Sequence, residues 1–166
     1  MDDGRIREVY SVSYPRLVTQ MVALCGNRAE AEDLVQEAFM TALTHAREFE
    51  GVANKEAWLR TVALNRLRKQ WRRAAVVRRV MPRIARESGP QLGAEATPDH
   101  IAIVTALGQV SQAMRETFVL FYVADLPVSQ IAAELEVPEG TVKARLSRCR
   151  VQLAGLLSDP EGAEHA

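Results

Sequence analysis

VSQIAAELEVPEGTVKARLSRCRVQL, residues 128–153, is the stretch whose pattern decides how the chain reads. Pro127 to Leu135 suits a short helix, with Ile131 and Leu135 one turn apart on one face and Ala132 offering a small contact surface. Glu136-Val137-Pro138 is a tight connection, and Pro138 presets φ for the start of the next helix. In that second helix Val142, Leu146, Cys149, Leu153 and Leu156 form an apolar stripe at spacings of four, three, four and three. A turn of about 100° per residue places Ala144, Ser147, Arg148 and Val151 on the opposite face, with Lys143 and Arg145 flanking them. A helix buried on one side and presenting small residues with Arg and Lys on the other can enter a DNA major groove without clashing. Arg then pairs with guanine edges or phosphates. The alternative is an ordinary amphipathic hairpin. Cys149 lies on the buried stripe and reads as a packed thiol rather than a redox sensor.

Upstream, Ile101 to Gln109 and Met114 to Val123 read as two short helices. Residues 87–99, ESGPQLGAEATPD, hold two Pro, two Gly and small polar residues, the composition of a flexible linker. Before it, residues 5–75 carry dense helical periodicity. Arg5 to Leu24 reads as one helix or a pair, with Pro15 breaking it or starting a turn. From Ala29 to Ala46 the apolar set Ala31, Leu34, Val35, Ala38, Phe39, Ala42 and Leu43 follows helical spacing, and Asp33, Gln36, Glu37 and Met40 fall on the other side. Phe49 to Lys55, with Gly51 and Asn54, reads as a loop. A long helix then runs through Trp58, Leu59, Val62, Ala63 and Leu67 into an Arg-rich stretch. The expected fold is all-α, with two small helical domains at 1–86 and 100–158, the flexible linker at 87–99 between them and a tail at 159–166.

The net charge is zero, which at first argues against a nucleic-acid partner. Its distribution reverses that. Ala57 to Arg86 holds ten Lys and Arg residues and no acid, and Lys143, Arg145, Arg148 and Arg150 form a second basic cluster. Acids gather at Glu30, Glu32, Asp33 and Glu37. Segregated charge suggests separate faces for separate partners; solvated helix faces are the plainer alternative. Cys25 and Cys149 match no metal or redox spacing, and a reduced, cytoplasmic protein is expected. No signal peptide is expected from the charged N terminus, and no run of about 18 apolar residues suggests a membrane span. His45, His100 and His165 are isolated, and no nucleophile stands beside a base or a metal set. The expectation is a protein that is not an enzyme and needs no cofactor or metal.

Residues 128–153 closely resemble the C-terminal helix-turn-helix domain of the extracytoplasmic-function group of bacterial sigma factors, in the sigma-70 family. AEAEDLVQEAFMTAL (29–43) resembles the helix with which these factors grip core RNA polymerase, and WLRTVALNRLRKQWRR (58–73) the helix that reads and opens the promoter −10 element. The resemblance implies a transcription initiation factor that binds core polymerase, reads the −10 element with its N-terminal domain and reads the −35 element with its helix-turn-helix. Asp33, Gln36 and Glu37 would contact a coiled coil of the core enzyme, and the partners implied are the β′ clamp coiled coil and the β flap of core polymerase. The loop from Phe49 to Lys55, with Asn54 and with Asn65 on the next helix, would form a pocket for a base flipped from the −10 element. Arg66, Arg68, Lys69, Arg72 and Arg73 would track phosphates, while Trp71 would lie against backbone or base and Trp58 would anchor the core. Lys143, Ala144, Arg145, Ser147 and Arg148 would meet the −35 element. An anti-sigma factor is a possible further partner of such a chain, and a membrane is not. The sequence departs from the family pattern at Lys69, often Asp, at Pro127, commonly a capping Ser, and at Cys149, where Ala is usual. A stand-alone helix-turn-helix regulator is the alternative, but it leaves DLVQEAF and the basic helix without a role.

Overall fold

The computed structural model describes residues 3–81 and 89–158, and among them every named element is a helix. They are α1 (Asp3–Cys25), α2 (Arg28–Thr44), α3 (Ala46–Gly51), α4 (Lys55–Val80), α5 (Pro98–Leu107), α6 (Gln112–Tyr122), α7 (Val128–Leu135) and α8 (Glu139–Ser158). The chain divides into two compact units: Met1–Met21 with Arg28–Gly89, and Val22–Asn27 with Pro90–Ala166.

In the first unit α2 lies mainly against α4. The spacing of its small and branched residues explains why: Ala31, Leu34, Val35, Ala38, Phe39 and Ala42 are all buried along one stripe. Leu43, at the margin of that stripe, is instead 58% exposed. α1 is a single helix with Pro15 inside it. An interior proline costs about 3 kcal/mol of helix stability, but burial of Ser13 before it and Leu17, Val18 and Met21 after it holds both halves in line. Phe49, placed in a loop by the sequence reading, belongs to the six-residue helix α3 and is fully buried. The Gly51 and Asn54 signals mark only its end and the next helix's start. What forms the extra turn is tertiary: the Phe49 ring packs at 5.1 Å from Trp58. Trp58 is itself half-buried.

α4 begins where Asn54 Oδ1 accepts from the Ala57 amide at 3.0 Å, an N-cap. Its buried side carries Leu59, Arg60, Ala63, Leu64 and Leu67. Arg60 is only 2% exposed, with Nε donating to Gln20 Oε1 at 3.0 Å and Nη2 at 3.7 Å from Glu56 Oε2. From Arg72 to Val80 every residue is exposed.

In the second unit Thr97 caps α5, accepting from the His100 amide at 3.2 Å, with Pro98 at the helix start. Ser111 caps α6 in the same way, accepting from Met114 at 3.3 Å. Both helices therefore start two or three residues earlier than the apolar periodicity suggested. Arg115 donates to the carbonyls of Leu107, Gly108, Val110 and Leu24, so one guanidinium ties α6 to the ends of α5 and α1 and to the connection between α5 and α6. Of the linker reading at 87–99, residues 87 and 88 lie outside the described residues. Gln91 donates its amide to Gly26 O at 2.8 Å, and Leu92 is buried within this unit. The core of the motif is Leu120, Ile131, Ala132, Val142 and Leu146. Glu136, at φ 56 and ψ 45, turns α7 toward α8.

Candidate nucleic-acid and protein interfaces

On α8 the buried stripe Val142, Leu146, Cys149 and Leu153 fixes which side faces out. Leu156 falls at the stripe's frayed end and is 37% exposed. Lys143, Ala144, Ser147 and Arg148 are exposed, as is Val151, and Arg145 is half-buried at the flank. Ala144 and Ser147 are the small side chains of this face, with Arg148 and Val151 beside them and Lys143 and Arg145 at its flanks. Burial pushes the Cys149 thiol above its ordinary range, so the stripe holds a neutral sulfur.

Arg150 occupies a place that sequence reading left unassigned. Its Nε donates to the Tyr122 hydroxyl at 2.6 Å, and its guanidinium carbon lies 5.6 Å from that ring's centre. Tyr122 is in turn packed against Phe118 and Phe121. The cation is thus oriented by α6, which local periodicity could not reveal.

In the first unit Asp33, Gln36 and Glu37 are all exposed on α2, opposite its buried stripe. Their i, i+3, i+4 spacing makes one face of them. Met40 shares that face and is 66% exposed. Glu37 does not stand free: Arg66 Nη1 donates to its Oε2 at 3.1 Å, and Arg66 Nη2 donates to Thr41 Oγ1 at 3.1 Å.

Along α4, a turn of about 100° per residue gathers Asn65, Lys69, Arg72 and Arg73 within one sector of roughly 100°. All four are exposed. Asn65 Oδ1 accepts from Arg68 Nη1 at 3.1 Å, which leaves its amide hydrogens outward. Trp71 is half-buried beside them. Asn54 and Asn65 are not brought together. They share a side of α4, but eleven residues of helix separate them by about 16 Å along the axis. One base-sized pocket lined by both amides does not fit that spacing. The Asn54 oxygen is moreover committed to the cap, so only its Nδ2 hydrogens remain for another partner.

Among the described residues no helix is long and apolar enough to cross a membrane, and no group of His, Cys, Asp and Glu is placed to hold a metal ion.

Two family models match the chain, one on each side of residues 77–99. The family described as Sigma-70 region 2 matches residues 9–76, and the one described as Sigma-70, region 4 matches residues 100–153. The chain is 31% identical over 160 residues to the ECF RNA polymerase sigma factor EcfG of Rhodopseudomonas palustris (strain TIE-1), covering 96% of this chain and 88% of that protein. It is 33% identical over 149 residues to the ECF RNA polymerase sigma factor SigL of Mycobacterium tuberculosis, covering 85% of this chain and 82% of the relative. A solved complex of the sigma factor RpoE with the anti-sigma factor NepR from Bartonella quintana has a similar sigma chain. There the TM-score is 0.80 at 26% identity, over 95% of this chain and 99% of the other. The CnrH chain of a complex with the cytosolic domain of CnrY shares the fold at a TM-score of 0.72 and 20% identity, over 96% of this chain and 92% of that one.

Proposed function

The chain belongs to the extracytoplasmic-function sigma factors of RNA polymerase, and from that membership we propose how its faces divide the work of directing the enzyme to promoters. Sigma factors are transcription factors rather than catalysts. The chemistry to be explained is therefore recognition: placing polymerase on DNA and holding an opened strand.

The carrying observation is the separation of three exposed faces. The acid-and-amide face of α2, with Asp33, Gln36 and Glu37, suits a protein partner and repels DNA. We assign it to the β′ clamp coiled coil of core polymerase. The sector of α4 with Asn65, Lys69, Arg72 and Arg73 presents an amide beside several cations and suits the −10 element. Asn54 contributes there as a separate donor at the start of the helix. The face of α8 with Lys143, Ala144, Arg145, Ser147 and Arg148 suits a major groove, and we assign it to the −35 element. The functional domains follow these faces, at 1–86 and 100–158 with 87–99 between them and 159–166 as a tail. A contact with the β flap of core polymerase, an anti-sigma partner of the kind bound by the RpoE relative, and action in the cytoplasm complete the reading.

The test is holoenzyme assembly. Asp33→Lys combined with Glu37→Lys leaves native-like circular dichroism, because both residues are exposed, and removes association with core polymerase in a pull-down of the β′ subunit. A folded double variant with unchanged core affinity shows that the α2 face is idle. Capture of operator DNA without polymerase by the wild type favours a stand-alone regulator.

A further inference from the structure

The basic run of α4 groups Arg66 with cations that track DNA phosphates, but its surroundings separate it from them. One guanidinium spans from α4 to α2, reaching Glu37 Oε2 and Thr41 Oγ1, each at 3.1 Å. Glu37 and Thr41 are one helical turn apart, so the planar fork of Arg66 matches two acceptors on the same side of α2. The rotation that gathers Asn65, Lys69, Arg72 and Arg73 leaves Arg66 at the rim of their sector, on the side of α2.

We infer that Arg66 is a positioning residue of the polymerase-binding face, acting through Glu37 rather than on DNA. This rests on the assignment of Asp33, Gln36 and Glu37 to core polymerase. A long, exposed glutamate must be ordered when a partner docks, and ordering such a side chain opposes binding. The bridge to Arg66 sets the Glu37 conformation beforehand. The side chains of Arg66 and Glu37 are 45% and 52% exposed, so solvent screens the pair and its worth is in orientation rather than fold stability.

The experiment measures affinity of the full chain for core polymerase, then promoter binding by the holoenzyme across a salt series. The proteins are wild type, Arg66→Ala, Arg66→Lys, Glu37→Gln, the Glu37→Gln/Arg66→Ala pair, and Asp33→Lys as reference. Arg66→Ala is expected to weaken core binding about three- to fivefold, the scale of an exposed pair, and to leave the salt dependence of promoter binding unchanged. Arg66→Lys keeps the charge but lacks the fork, and fails to restore core affinity. The double variant loses no more than the single ones, since both remove the same interaction. The inference is overturned if Arg66→Ala keeps full core affinity and lowers the salt dependence by about one counterion, with Lys restoring it. Asp33→Lys separates the two levels. If it abolishes core binding while Arg66→Ala changes nothing, only the role of Arg66 falls. If it too is silent, the assignment of the α2 face falls with it.

Discussion

Arg60 shows what a residue's surroundings add to its type. In the sequence it is one of ten cations in an acid-free run, yet it is 2% exposed between Gln20 and Glu56. Glu56 Oε1, also buried, accepts no hydrogen bond and lies 3.8 Å from Arg16, so its charge depends on both guanidinium groups. Removing Arg60 leaves Gln20 without its donor and Glu56 with only the exposed Arg16, a loss of about 1–3 kcal/mol. Arg60→Ala is therefore expected to destabilise the first unit by that order. Trp58 and Trp71 are the chain's two tryptophans and both lie in α4, so the shift in the denaturant midpoint of Trp fluorescence reads this unit alone. A shift no larger than that of Arg72→Ala shows that Arg60 is not held as described. Cys149 gives a pH-dependent counterpart. Its thiol is raised above the ordinary value of 9.0 by burial, so the folded state keeps the proton that the unfolded state releases. The stability tied to that proton is fully present below pH 9.0 and is lost as pH rises toward the folded value. Relative to Cys149→Ala, the wild type should lose thermal stability more steeply as pH rises above 9.0. Parallel pH profiles by calorimetry contradict this.

The turn between α7 and α8 fixes the angle of the motif with unfavourable backbone. Glu136 sits at φ 56 without being glycine, and its exposed side chain offers no compensating contact that the turn requires. A left-handed residue with a Cβ costs about 1–2 kcal/mol, part of which glycine would return as unfolded-chain entropy. Glu136→Gly is expected to stabilise the second unit by about 1 kcal/mol and to leave −35 binding unchanged, read by calorimetry and promoter titration. A lower melting temperature identifies a role for the side chain. Pro127 fits the same theme, since it starts α7 with no side-chain cap while its carbonyl accepts from Gln130 and Ile131. The sequence announced that missing cap at once. It did not announce α3, because a six-residue helix has too few turns to show periodicity, and Phe49 is helical only through its packing on Trp58.

At the scale of the whole molecule, the two basic faces differ in what surrounds their charges. Arg148 stands by the small side chains Ala144 and Ser147 on the face proposed for the −35 element, whereas Arg72 and Arg73 lie on a stretch of α4 exposed all round. Arg148→Ala is expected to lose on the order of 1–3 kcal/mol, chiefly on the preferred −35 sequence, and to relax discrimination there. Arg72→Ala or Arg73→Ala should weaken all promoters about equally and lower the salt dependence by roughly one counterion each. Holoenzyme binding to matched and −35-scrambled promoters across a salt series separates the two. Equal losses on both promoters for Arg148→Ala, with altered selectivity for Arg73→Ala, reverse the assignment.

Apart from α3, the existence and order of the helices and the buried sides of α2 and α8 were determined by the sequence itself. Those properties repeat every 3.6 residues, so they are written locally in Leu34, Ala38 and Ala42 or in Val142, Leu146 and Cys149. The exposed side followed by subtraction, which is how Asp33, Gln36 and Arg148 could be placed in advance, whereas Asn65 was picked out by the resemblance of residues 58–73 to a family helix. Only the tertiary structure decided what each arginine does. Arg60 meets Gln20 across 40 residues of chain, Arg66 meets Glu37 across 29, Arg150 meets Tyr122 across 28 and Arg115 meets Leu24 across 91. A guanidinium carries the same charge and five donors at each of these places. Whether it is buried, bridges two helices, leans on a ring or stays available to DNA depends on groups that no local pattern brings beside it.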